Sequence, residues 1–166
     1  MQRFTDKVVF VTGAGSGIGK ASALRLAAEG GAVFCVDLNR EAVEATAAEI
    51  VAAGGEATAR VCDVSDEASV QDSVDACISR YGSLHGLVNM AGILRFDDTE
   101  HLQTGDWQKL IGINLTGTMF LCRAVLPHLV QTKGSIVNAA STAALSGLPC
   151  GLAYSASKGG VLAMTR

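Results

Sequence analysis

Three features of the 166-residue sequence predict a doubly wound α/β fold, a parallel sheet with helices on both faces. Short apolar runs alternate with helix-like segments of about 10–15 residues. Most of those segments close on glycine. The first strand-to-helix junction is a glycine-rich turn, and an acid stands at the end of the next strand. No linker, low-complexity stretch or repeat divides the chain, so residues 1–166 read as one domain.

Val8-Val9-Phe10-Val11 is a continuous apolar run, as expected for a strand covered on both faces. An Ala- and Leu-rich helix is predicted from Ile18 to Glu29, closed by Gly30-Gly31, and Ala32–Val36 forms a second strand stopping at Asp37. Glu41–Ala53 has good helix propensity and ends at Gly54-Gly55; Ala57–Val61 is the third strand. Ser65 is a candidate cap for a helix running to Tyr81, with Asp66 and Glu67 suited to its positive end. Leu87-Val88-Asn89 makes the fourth strand, and residues 93–104 read as loop. A long helix is expected from Asp106 to Gln131, bent or broken near Pro127. Ser135–Asn138 is the fifth strand, and a Gly/Ala/Leu-rich loop leads to a last helix over residues 153–166.

Composition narrows the function. Apolar residues make up 49% and charged residues 17%, with a net charge of −3 and no basic run, which argues against nucleic acid. No continuous apolar run approaches the ~18 residues of a membrane span, and the start lacks a signal-peptide cleavage pattern. Five scattered cysteines without a Cys-x-x-Cys fit free thiols in a reducing, cytoplasmic compartment, and the isolated His85, His101 and His128 suggest no metal site.

Thr12-Gly13-Ala14-Gly15-Ser16-Gly17-Ile18-Gly19 has the wider G-x-x-x-G-x-G spacing. Glycines there let the backbone turn sharply and approach a pyrophosphate at a helix N-terminus. A P-loop is excluded, because Ala14 stands where its first glycine is needed and Ala21 follows Lys20. Asp37 can accept from both adenosine ribose hydroxyls and would repel a 2′-phosphate, which favours NAD(H) over NADP(H). Tyr154 and Lys158, four apart on a helix, fall on one face. A cation beside a phenol favours the phenolate, which makes the pair useful acid–base machinery. Ser141 precedes Tyr154 by 13 residues; no G-x-S-x-G surrounds it and no histidine is placed to partner it, so a hydrolase is disfavoured.

Thr12–Gly19, Asp63-Val64, Asn89-Met90-Ala91-Gly92, Asn114, Ser141 and Tyr154-x-x-x-Lys158 resemble, in order and spacing, the short-chain dehydrogenase/reductase family. The resemblance implies a Rossmann-like NAD(P)-binding domain and an alcohol/ketone oxidoreductase. Tyr154 would be the acid/base, Lys158 would support it and bind the nicotinamide ribose, and Ser141 would orient the reacting oxygen. Asn114 would hold a proton-relay water. The cofactor would lie against Gly13, Gly15, Ser16, Gly17, Ile18, Gly19, Asp37, Asp63, Val64, Asn89, Ala91, Gly92, Tyr154 and Lys158. Met90 departs from the family, which commonly has a second Asn there. The family also continues for roughly another half-length, with two further strands, a Pro-Gly segment, a substrate lid and much of a homo-oligomer interface. This chain is expected to lack those parts. The alternative is a dinucleotide-binding module without catalysis. A substrate-side stretch, residues 143–153, contains no charge, which suggests a neutral small-molecule substrate.

Overall fold

The computed structural model describes residues 2–166. Five strands form one parallel sheet: β1 (Val8–Thr12), β2 (Ala32–Asp37), β3 (Glu56–Val61), β4 (Gly86–Asn89) and β5 (Ser135–Asn138), in the order β3-β2-β1-β4-β5. The chain winds outward from β1 to β3, returns to pair β4 on the other side of β1, and ends at β5. This reversal leaves a crevice beyond the carboxyl ends of β1 and β4, where open α/β sheets bind ligands.

Two hydrophobic layers cover the sheet. Helices α1 (Gly17–Ala28) and α2 (Arg40–Ala52) pack on Val9, Val11, Val33 and Cys35. On the opposite face lie α3 (Glu67–Tyr81) and the long helical run α4 (Thr104–Ile111), a π-helical turn (Gly112–Thr116) and α5 (Gly117–Thr132). Phe10 and Phe34 stack there at 5.3 Å, with Tyr81 edge-on to Phe34 at 6.4 Å. Both Phe rings are essentially inaccessible; truncating either to Ala would cost about 3–5 kcal/mol. The short α6 (Ala143–Ser146) precedes α7 (Leu152–Thr165), which packs on α4 and the π-helical turn.

Several local expectations need correction. Asp66, not Ser65, caps α3: its carboxylate accepts from Ala68 N at 3.0 Å. Ser65 instead donates from N and Oγ to Asp63 Oδ1, which ties it into the preceding turn. The long helix starts at Thr104 and continues through Pro127; its irregularity lies at Gly112–Thr116. Pro127 sits on the exposed side of α5, where water can reach the carbonyl that its missing N–H leaves unpaired. Residues 93–104 contain a 3₁₀ turn at Thr99–His101, and the loop before α7 contains α6. Thr104–Thr132 is also long and apolar enough to cross a membrane by length and composition, although no continuous apolar run announces it. In this fold its Leu110, Leu121, Val125 and Leu129 are buried.

His85 joins the amino ends of β1 and β4. Its N donates to Val8 O at 2.8 Å, and its Nδ1 accepts from Val8 N at 3.1 Å. That geometry needs an unprotonated Nδ1. Burial, and then the nearby Lys7 charge, push the imidazole below its usual value. With the folded value depressed, the unfolded chain binds the extra proton first. The joint therefore contributes fully above about pH 6.5 and is lost as pH falls through the folded value. Melting temperature should fall between pH 7 and 5, and His85→Gln, an acceptor that does not titrate, should flatten that fall. Equal slopes would remove His85 from the account.

Candidate active site

The carboxyl ends of β1, β2 and β4, with α7, enclose a cleft of about 490 Å³. Gly13, Ser16, Gly17, Ile18, Gly19, Asp37, Asp63, Val64, Ala91, Gly92, Tyr154 and Lys158 all line it. A larger groove of about 810 Å³ opens at the amino ends of the strands, along Thr5, Ala32 and Gly55. Its glycines, Gly30-Gly31 and Gly54-Gly55, close helices α1 and α2, whereas the strand-to-helix glycine turn and the Tyr154–Lys158 pair both line the smaller cleft.

The glycine turn is built for close approach. Gly13 has φ +63°, and a Cβ there would meet Ala91 N at 2.9 Å. Beside Gly17 the space is open, with nothing within 4 Å of a hypothetical Cβ. Ser16 N-caps α1 through its backbone alone: its side chain makes no capping bond, and the first turn carries no acid. The N-terminal amides of α1 thus face the cleft with the helix's positive end, a fit for a pyrophosphate. Gly15 N donates to Asp37 Oδ2 at 2.9 Å, and Asn39 N to Oδ1 at 3.0 Å. These bonds fix the carboxylate at the rim while leaving acceptor capacity for hydroxyl donors.

Thr12 joins the turn to β4. Its fully buried Oγ1 accepts from both Met90 N and Ala91 N at 3.0 Å. Thr12 belongs to the glycine motif, yet a Thr ending a strand looks like ordinary β-propensity and by itself suggests no role. Leu38 and Ile113, likewise not singled out as site residues, also line the cleft. Asn89 behaves differently from its neighbours. Its Nδ2 donates to Asn138 Oδ1 at 2.8 Å and contacts Cys122 Sγ at 3.7 Å, so its amide turns toward β5 and α5 rather than lining the cleft.

Tyr154 and Lys158 lie one turn apart on α7, with Nζ 5.9 Å from the phenol ring centroid. Lys158 is 7% exposed, and its Nζ donates to Ala139 O at 2.6 Å. Burial lowers its pKa, because the charged form loses hydration. An ammonium has three donors, so one taken by Ala139 leaves capacity for ribose hydroxyls. Gly92 makes room beside it: a Cβ there would lie 3.7 Å from Nζ and 3.1 Å from Asn114 Oδ1.

Asn114 and Ser141 stand apart from the cleft lining. Asn114 is fully buried; its Oδ1 accepts from Ile93 N at 2.8 Å, and its Nδ2 donates to Ile93 O and Ser157 Oγ at 2.9 and 3.2 Å. Both amide hydrogens are therefore committed to protein partners. Ser141 Oγ accepts from Ala143 N at 3.2 Å, at the start of α6, and its own hydroxyl hydrogen is free to turn.

A parallel sheet with a glycine turn at its reversal point, and a Tyr–Lys pair facing the same crevice, defines a dinucleotide-type α/β protein. The short chain dehydrogenase family model matches residues 7–166. The chain belongs to that family. It is 42% identical to D-threitol dehydrogenase of Mycolicibacterium smegmatis over 165 residues, covering 99% of this chain and 64% of the relative. Meso-2,3-butanediol dehydrogenase of Serratia marcescens is 38% identical over 164 residues, again with 99% and 64% covered. The crystal structure of an NAD+-bound xylitol dehydrogenase superposes with a TM-score of 0.94 at 39% identity, covering 98% of this chain and 64% of that one. The chain thus spans about 64% of the length of these relatives.

Proposed function

We propose that the protein is an NAD(H)-dependent oxidoreductase that interconverts an alcohol and a ketone. The observation that carries this reading is the convergence of Tyr154 and Lys158 on the cleft that the glycine turn and Asp37 also line. Tyr154 gives a proton to the carbonyl oxygen in reduction and removes one from the alcohol in oxidation. Lys158, one turn along α7 from Tyr154, holds the nicotinamide ribose through its remaining ammonium donors. Ser141 orients the reacting oxygen through its free hydroxyl hydrogen. Both Asn114 amide hydrogens are committed and its carbonyl already accepts from Thr118 Oγ1, so the relay water in this reading takes that carbonyl's second lone pair. Asp63, Val64, Ala91 and Gly92 flank the adenine and ribose side, and the dinucleotide itself supplies or accepts the hydride.

Asp37 underlies the cofactor choice, since a fixed carboxylate repels a 2′-phosphate. NADH should bind the full gene product at least about tenfold more tightly than NADPH, and Asp37→Ala should erase most of the difference, about 1.4 kcal/mol. Titrations in which NADPH binds more tightly to the unaltered protein would sink this assignment.

A neutral substrate fits the surroundings. Arg95 is paired with Asp97 at 2.7 Å and Asp106 at 2.6 Å, so it offers no free cation to an acidic substrate. The threitol, butanediol and xylitol in the relatives' names are neutral alcohols as well. Five free cysteines support a cytoplasmic setting, and a homo-oligomer is the assembly we expect. Steady-state NADH assays over a panel of neutral ketones and alcohols, with binding measured separately, test the reading. Tight NADH binding without turnover would leave the dinucleotide-binding module in its place.

A further inference from the structure

We infer that Ser157 is a positioning residue for the reaction, holding the catalytic helix to the wall of the cofactor cleft through Asn114. The inference rests on the reading of Tyr154 and Lys158 given above. Ser157 precedes Lys158 on α7 and has no exposed surface. Its Oγ donates to Tyr154 O at 2.7 Å and accepts from Asn114 Nδ2 at 3.2 Å. One hydroxyl thus touches the backbone of the proposed acid/base and the side chain of the π-helical turn.

Asn114 carries the connection onward. Its amide brackets Ile93, accepting from N at 2.8 Å and donating to O at 2.9 Å, and Ile93 lines the cleft. The turn is itself held, because Thr118 Oγ1 donates to Asn114 O at 2.8 Å. A chain of buried and part-buried bonds therefore runs from the loop after β4, through the π-helical turn, to the helix carrying Tyr154 and Lys158. The π geometry matters here: an extra residue in a helical turn re-aims a side chain that ordinary spacing would point elsewhere.

Positioning explains this arrangement better than packing alone. A small apolar residue would fill the same space between α7 and the π-helical turn. It would leave one Asn114 hydrogen without an acceptor and free α7 to slide or roll against the cofactor wall. Misplacement of a reacting group by about 1 Å can cost up to about 100-fold in rate, so a modest loosening should register in kcat.

The test uses the full gene product, NADH and whichever ketone it reduces. Ser157→Ala should lower kcat about tenfold or more while the NADH dissociation constant stays within about twofold. Ser157→Thr, which keeps a hydroxyl, should recover much of the loss. Because the two residues act in series, adding Ser157→Ala to Asn114→Ala should slow the enzyme little beyond Asn114→Ala alone. Should Ser157→Ala fail to fold, Ser157→Cys replaces it, with a similar volume and a much weaker donor. Wild-type kcat in Ser157→Ala or its Cys substitute, or fully additive losses in the double variant, would overturn the inference. Tyr154→Phe run in parallel separates the two failures. If it is inactive while Ser157→Ala is unimpaired, only the positioning role falls. If Tyr154→Phe retains turnover, or the protein binds NADH and reduces no ketone, both readings fall.

Discussion

Tyr154→Phe in the full gene product should still bind NADH, within about threefold of the unaltered protein, and turn over about 1,000-fold more slowly. The substitution is narrow. Phe keeps the ring, so the contact with Lys158 Nζ, 5.9 Å from the ring centroid, survives. The backbone bond from Ser157 Oγ to residue 154 does not involve the phenol and survives as well. Only the hydroxyl proposed to donate or accept the proton is removed. Positioned general acids and bases typically contribute 10²- to 10⁴-fold, and no other titratable side chain on α7 stands beside Lys158 to take over. Fluorescence titration with NADH separates binding from chemistry, and single-turnover rates then report the chemical step. Residual turnover above about a tenth of the unaltered rate would move the proton transfer to another group.

Much of this architecture is legible in the sequence because strands buried on both faces advertise themselves. Val8–Val11 and Ala32–Val36 are runs of apolar residues with no polar face, and both lie at the centre of the sheet. Helices read well where an apolar stripe and a closing glycine agree, as at Tyr81-Gly82, where Gly82 takes φ +75°. The line of cleft residues from Gly13 to Lys158 follows from motif order, since each motif sits at the carboxyl end of a strand or on the helix facing it.

What the sequence hid was chiefly hydrogen bonding between distant elements. A nearer ambiguity lies at the start of α3, where Ser65 and Asp66 are both competent caps and the choice is made by Asp63, two residues back, which captures Ser65. The π-helical turn was hidden for a related reason. One inserted residue barely disturbs an apolar stripe running from Leu110 to Leu121, so periodicity gives no warning. Its best sequence clue is Asn114 and Thr118, two buried polar residues four apart between Gly112 and core leucines. Thr12 and Ser157 share that character. Each is a small hydroxyl with no exposed surface, and its role appears only when its partners, 78 and 43 residues away, are in place.

Gly19→Ala should weaken NADH binding by about 100-fold or more, equivalent to about 2.7 kcal/mol, and lower the melting temperature as well. The reason is steric and local. A Cβ on Gly19 would lie 2.1 Å from Gly13 O, 2.6 Å from Gly13 C and 3.0 Å from Thr12 O. All three are backbone atoms, so no side-chain rotation relieves the clash; either α1 retreats from β1 or the turn opens. Overpacking of this kind costs about 1–3 kcal/mol or more in stability, and the displaced turn is the one whose amides would hold the pyrophosphate. Gly17→Ala supplies the contrast. Its Cβ would meet nothing within 4 Å, and the strain comes only from φ +53°, which costs an alanine about 1–2 kcal/mol. The two alanine variants should therefore both lose stability, while only Gly19→Ala forces the helix and turn apart. Melting curves of both variants read that difference, and isothermal titration of Gly19→Ala with NADH reads the loss of binding. A folded Gly19→Ala protein with unaltered NADH affinity would show that the glycine turn is not where the dinucleotide rests.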